Sequence, residues 1–209
     1  MISVTQVLDH YQEPELVDWK LSKGKVACEK ISTEAKRVGS LVDEIIKAEL
    51  QRREPPPFDP KDIEVVNCLQ AWQRHKERHP DFVLTVTGIQ TELIVDDLVG
   101  HPDLEITEPT RWGIVDIKTS KAIQPKHWTQ TGKYRRMREQ LTPNPLPSFI
   151  GILRLDKQTA QPEYRIIDDP TILEYEAAVF DHYLATYQHS QRLREILRQL
   201  REAEVLDVA

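Results

Sequence analysis

The stretch from Asp103 to Tyr134 holds the residue types that phosphodiester chemistry needs. Gly113-Ile114-Val115-Asp116-Ile117-Lys118 reads as a strand. Side chains alternate along a strand, so Asp116 and Lys118 share one face while Val115 and Ile117 take the other and enter the core. An acid and an amine then project together from a rigid element, as a preorganised site requires. Magnesium is a hard cation that prefers oxygen ligands, and Asp116 offers a carboxylate. A second carboxylate stands at Asp103, in Gly100-His101-Pro102-Asp103. If the two strands are antiparallel neighbours, the acids meet across the sheet. Glu92, on the preceding strand, adds a third carboxylate or positions a water. A metal held there polarises a phosphate and activates a water. Lys118 orients that water or stabilises charge building on the phosphate.

An Asp-x-Lys tripeptide is common, and its bland reading is a surface ion pair. Two features favour the chemical one. The tripeptide sits inside an apolar strand, where charges are costly unless used. It is also followed by a helix with Gln130 and Tyr134 four apart, hence on one face. Between Asp116 and Glu139 there is no acid, but Lys118, Lys121, Lys126, Lys133, Arg135, Arg136, Arg138 and His127 all occur. Such a block attracts a polyanion even in a chain of net charge -6. With Trp128 and Tyr134 it would set cations and rings along a nucleic-acid strand. The competing reading is a solvated helix face.

The elements that must position these residues follow from periodicity. Ala35, Val38, Leu41, Val42, Ile45, Ile46 and Leu50 recur at helical spacing, which predicts a helix over 32–53 capped by Ser32 or Thr33. A second helix is predicted over 60–78, with Ile63, Val66, Leu69 and Trp72 along one stripe. Strands are expected over 82–87, 91–95, 98–106 and 112–118, with a turn at Asp96-Asp97. A helix over 124–141 tolerates Pro125 in its first turn. Strands over 148–155 and 163–167 and a helix over 169–205 complete the pattern. The 209 residues fit one domain. It has a mostly helical part over 1–80, a sheet with the Gln130–Tyr134 helix over 81–168, and a C-terminal helix over 169–209. The fold class is α/β (α+β), a central mixed sheet flanked by helices.

Glu92, Gly100-x-x-Asp103, Asp116-x-Lys118-Thr119-Ser120 and Gln130-x-x-x-Tyr134 together resemble the PD-(D/E)xK nuclease superfamily in its RecB-like branch. That branch includes helicase-associated nuclease domains, CRISPR adaptation nucleases and the mitochondrial genome maintenance exonuclease. Upstream, Ser3-Val4-Thr5-Gln6-Val7-Leu8, Leu16-Val17-Asp18-Trp19 and Ala35-x-x-x-Gly39-Ser40-x-Val42-Asp43 resemble the branch's helical N-terminal region. The resemblance implies a restriction-endonuclease-like core and a Mg²⁺- or Mn²⁺-dependent deoxyribonuclease acting on single strands or DNA ends. It implies Asp103, Asp116 and the Ile117 carbonyl as metal ligands and Lys118 as the catalytic lysine. Gln130 and Tyr134 would support substrate and site. Apart from the resemblance, the acid-free basic stretch makes Lys133, Arg136 and Lys121 further expected substrate contacts. The family's helical motif usually ends in histidine, another metal ligand. Asp43 stands there, beside Glu44. Aspartate also binds hard metals, so the change either shifts metal preference or marks a weakened site that binds nucleic acid or a protein without cutting.

Other features narrow the field. Cys28 and Cys68 are too few for a disulfide framework or an iron–sulfur cluster, and are expected as reduced thiols on helix faces. No apolar run is long enough to span a membrane. Met1 to Gln6 lacks a basic region followed by an apolar core, so a cytoplasmic location is expected, or an intracellular one for a viral or phage protein. No Gly-x-x-x-x-Gly-Lys-[Ser/Thr] loop occurs, so a helicase or recombination partner would be another protein. A restriction-type endonuclease fits less well, because no separate recognition domain is evident. His75 and His79 have zinc-ligand spacing but are expected at a solvated helix end. His101 either contacts phosphate or packs at the turn before Pro102. Glu13-Pro14-Glu15 reads as a helix start. Arg192, Arg194, Arg198 and Arg201 alternate with Glu195 and Glu202 as an exposed salt-bridged face.

Overall fold

The computed structural model describes residues 1–11 and 14–206. Ile2–Ser3 forms β1 and Val4–His10 forms α1, capped by the Ser3 hydroxyl, which accepts from the Gln6 N–H. The helices α2 (Pro14–Lys23), α3 (Lys25–Leu50) and α4 (Ile63–Arg78) follow. Asp62 caps α4 through the Val65 N–H. Next come α5 (Phe82–Thr85), β2 (Val86–Ile89), β3 (Leu93–Val95), β4 (Leu98–Gly100), β5 (Leu104–Thr107) and β6 (Trp112–Lys118). The chain ends with α6 (Pro125–Leu141), β7 (Ser148–Leu155), β8 (Pro162–Ile167) and α7 (Pro170–Leu206). The helix start expected at Glu13 falls partly outside the described residues, since Glu13 is not among them.

Two mixed sheets form. The larger runs β2-β5-β6-β7-β8, and the smaller β1-β4-β3. β6 is antiparallel to β5 and parallel to β7, with α6 as the crossover. β6 is buried on both faces, so its apolar residues divide. Val115 and Ile117 pack with Val42, Ile46, Val65 and Trp72 of α3 and α4. Trp112 and Ile114 pack with Tyr134, Met137 and Phe180 of α6 and α7. Asp116 and Lys118 continue the second face toward the C-terminal end of β6, where open α/β sheets bind ligands. α3 crosses that end closely: a Cβ at Gly39 would stand 3.2 Å from Thr119 Oγ1.

Three expectations change. The segment 82–87 is not one strand; Phe82–Thr85 is a helical turn closed by Leu84 and Thr85 N–H groups on the Asp81 carbonyl. Its anchor is Phe82, edge-on to Trp72, His75 and Tyr164. The expected strand over 98–106 breaks at His101-Pro102-Asp103, and its halves join different sheets. Pro102 has no N–H for a ladder. Finally, α3 starts at Lys25, more than a turn before Ser32.

His75 is buried among those rings rather than solvated. Burial, then the neighbouring His79 and Arg78, lowers its pKa from 6.5 to about 4. The unfolded chain therefore takes up this proton at a higher pH than the folded one. The stability contribution is full above the unfolded pKa and is lost as pH falls toward the folded pKa. Urea denaturation at pH 7 and pH 4.5 should show wild type losing about 2 kcal/mol more than His75→Phe. Parallel losses in the two proteins would remove His75 from the acid sensitivity.

Candidate active site

Asp103, Asp116, Lys118, Asp43, Gln130 and Tyr134 line one pocket of about 450 Å³. The sheet register explains the first pair. Leu104 lies opposite Val115, so Asp103, one residue earlier, comes opposite Asp116. The Ile117 N–H donates to Asp103 Oδ2 at 2.8 Å, fixing that carboxylate against β6. Lys118 Nζ sits 2.5 Å from Asp116 Oδ2 in a close ion pair. Lys118 also donates to Gln130 Oε1 at 3.2 Å, and Gln130 Nε2 donates to the Tyr134 hydroxyl at 3.1 Å. The four-residue spacing on α6 thus builds a relay from Tyr134 to the end of β6. Thr5 of α1 accepts from Gln130 as well.

Burial sets the electrostatics. It raises the Asp116 pKa above the usual carboxylate range; Lys118 opposes this and Asp103 adds to it. Burial works against the Lys118 ammonium, but Asp116 and Asp103 outweigh it and raise its pKa. Burial also raises the Tyr134 pKa, so the hydroxyl that accepts from Gln130 stays protonated.

Asp43 reaches the pocket from α3, and it brings a residue that sequence reasoning missed. Lys47, one turn on, donates to Asp43 Oδ2 at 2.5 Å and to Asp103 Oδ1 at 3.1 Å. The spacing was legible, but an i,i+4 acid–lysine pair usually marks an exposed face. Here Lys47 is only 5% exposed.

Other expected residues lie elsewhere. Glu92 is exposed and pairs with His101 Nε2 at 3.5 Å; His101 lines the pocket, Glu92 does not. Lys121 is exposed and offers its carbonyl to Arg154. The basic residues of α6 sit in ion pairs. Lys133 is buried and donates to Asp181 of α7 at 2.8 Å, and Arg136 lies 3.6 Å from Glu174. Arg135 is buried against Glu139 and Glu174, and Arg138 holds Glu105. α6 packs against α7, so Lys133, Arg135 and Arg136 pair with α7 acids, and Arg138 pairs with Glu105 of β5. Cys28 and Cys68 are buried free thiols, and Arg198 pairs with Glu195 and Glu202 on an exposed face.

The donor set fits a hard divalent cation. Asp43, Asp103 and Asp116 bring carboxylate oxygens to the pocket, beside the His101 imidazole, and Asp43 Oδ1 is buried without a hydrogen-bond partner. Among the described residues, though, no group of three or more His, Cys, Asp or Glu is gathered as a ready metal cluster. The carboxylates are engaged by Lys47 and Lys118.

No family model and no curated protein matches the chain. Two solved structures are similar in part. A candidate exonuclease of Eubacterium rectale superposes with a TM-score of 0.49 at 18% identity, over 71% of this chain and 65% of that one. The chain thus spans just under two thirds of that protein's length. The alkaline exonuclease of Laribacter hongkongensis gives a TM-score of 0.35 at 14% identity, over 94% of each chain. Likeness at this level carries no chemistry with it, so function rests on the pocket. Among the described residues no helix is long and apolar enough to cross a membrane.

Proposed function

We propose that this chain is a Mg²⁺- or Mn²⁺-dependent nuclease that hydrolyses DNA phosphodiester bonds, as an exonuclease on single strands or ends. One observation carries the reading: Asp103, Asp116 and Lys118 converge with the Gln130–Tyr134 relay in one pocket. Asp103, Asp116, the Ile117 carbonyl and Asp43 would hold the ion, which would supply Lewis-acid polarisation of the scissile phosphate. Lys118 keeps its proton beside Asp116, and places positive charge where the phosphate gains negative charge. Gln130 holds Lys118 in that pose, and the buried wall of α6 limits water. Water adds to phosphorus, the phosphorus–oxygen ester bond breaks, and the leaving oxygen takes a proton.

Labelled single- and double-stranded DNA should be cut by the wild type with Mg²⁺ or Mn²⁺ and not by Asp116→Ala. A wild type as inert as the variant would end the enzyme reading. Calorimetric titration of Mn²⁺ should lose its signal in Asp103→Asn; an unchanged isotherm would mean other ligands. The ion pairs of Lys47 favour a second reading, a nuclease-fold protein that binds DNA without cutting. Retained DNA affinity with no cleavage would support it.

The packing of α6 gives another expected result. Lys133→Ala and Arg136→Ala should leave DNA affinity and its salt dependence unchanged, since both cations face α7. Each should cost up to about 1 kcal/mol of stability, read by urea denaturation. A flatter salt dependence would restore them to the DNA path.

A further inference from the structure

The site described above contains more positive charge than a metal-binding pocket needs. Lys118 balances Asp116. Lys47 lies between the other two carboxylates, with Asp43 Oδ2 at 2.5 Å and Asp103 Oδ1 at 3.1 Å. Its side chain is 6% exposed, against 28% for Asp43 and 15% for Asp103. A buried ammonium is costly unless paired, so this one is held by both acids and offsets the repulsion between them. A cation bound by two acids in this way has the coordination role of a metal ion.

We propose that Lys47 is an internal cation that competes with the divalent ion for Asp103 and Asp43, and so sets the affinity of the site for metal. The proposal rests on the nuclease reading, because it takes the same pocket as the metal site. Three carboxylates face two ammonium groups there. A divalent ion entering beside Asp103 meets the Lys47 charge at contact range and must displace it from at least one acid. The other oxygen of Asp43 is buried and unpartnered, an acceptor the lysine leaves unused. The same arrangement explains how aspartate serves at position 43: it supplies a negative charge that seats the lysine when no metal is bound. Lys47 is a positioning residue for the carboxylates; nothing places it against substrate.

The test is Mn²⁺ binding by calorimetry and by metal-dependent thermal shift, neither of which depends on cleavage. Lys47→Met keeps the length of the side chain and removes its charge. It should bind Mn²⁺ about tenfold more tightly than wild type, or better, because a repelling charge has gone. Its melting temperature should be lower than that of wild type without metal and rise further on adding Mn²⁺. If Lys47→Met does not fold, Asp43→Asn/Lys47→Met removes one charge of each sign, and it should bind Mn²⁺ more tightly than Asp43→Asn alone. Equal or weaker binding after removal of Lys47, in a background that binds Mn²⁺, overturns the competition and leaves the nuclease reading standing. Absence of Mn²⁺ binding in every variant and in wild type overturns the metal site itself, and the inference with it.

Discussion

Lys118→Gln should lower DNA cleavage by about 10²- to 10³-fold at saturating Mn²⁺. The amide is shorter than the lysine and still able to hydrogen-bond, but it carries no charge. What is lost is a cation fixed before the reaction begins. Asp116 holds the ammonium from one side and Gln130 from the other, so no reorganisation is needed as the phosphate gains charge. The effect belongs in the cleavage step rather than in DNA affinity, so single-turnover rates at saturating enzyme are the measurement. Lys118→Arg should not restore the rate, because a planar guanidinium cannot take the same seat between Asp116 and Gln130. A Lys118→Gln protein that folds and cleaves at the wild-type rate would remove Lys118 from the chemistry.

Gly113→Ala should destabilise the protein by about 3 kcal/mol. Gly113 lies opposite Phe149 in the parallel pair of β6 and β7. A Cβ at Gly113 would stand 2.6 Å from the Phe149 ring and 2.6 Å from the Phe149 carbonyl oxygen. The carbonyl is backbone and cannot swing aside. The ring is fully buried, with Arg111 against its face at 4.7 Å. Relief must come from a shift between β7 and β6, the strand that carries Asp116 and Lys118. The melting temperature should fall by about 6–12 °C for a chain of this size. Cleavage per folded molecule should fall too, although no pocket residue is altered. An unchanged melting curve would show that the strand pair yields more freely than its packing implies.

How legible these features were depends on the range of the interaction behind them. β6 could be read because a period of two and an apolar run are local properties, and the placing of Asp116 and Lys118 on one face followed. The Gln130–Tyr134 spacing was local as well. The break at Pro102 was written in the sequence but was overridden by the apolar residues on either side. The fate of α6 was not legible. Its lysines and arginines look solvated until Glu174 and Asp181 arrive from α7, and no local pattern announces that meeting. His75 was misjudged for the same reason. Its neighbours in sequence are charged, while Phe82 and Tyr164 bury it in space. Lys47 is the instructive case. The Asp43–Lys47 spacing is an ordinary helical ion pair, and only Asp103, 56 residues away from Lys47, ties it to the acids of the site.

That separation bears on how the pocket comes into being. Asp103, Asp116, Lys118, Gln130 and Tyr134 fall within one short stretch, joined by an antiparallel strand pair and the helix that follows it. Closing short loops costs little entropy, so this half can assemble early. The α3 half must be brought in across a much longer loop, and Lys47 arrives with it. Until α3 docks, the Asp103 carboxylate lacks the lysine that shares it in the finished fold. Docking of α3 is therefore a charge-neutralising step at this site.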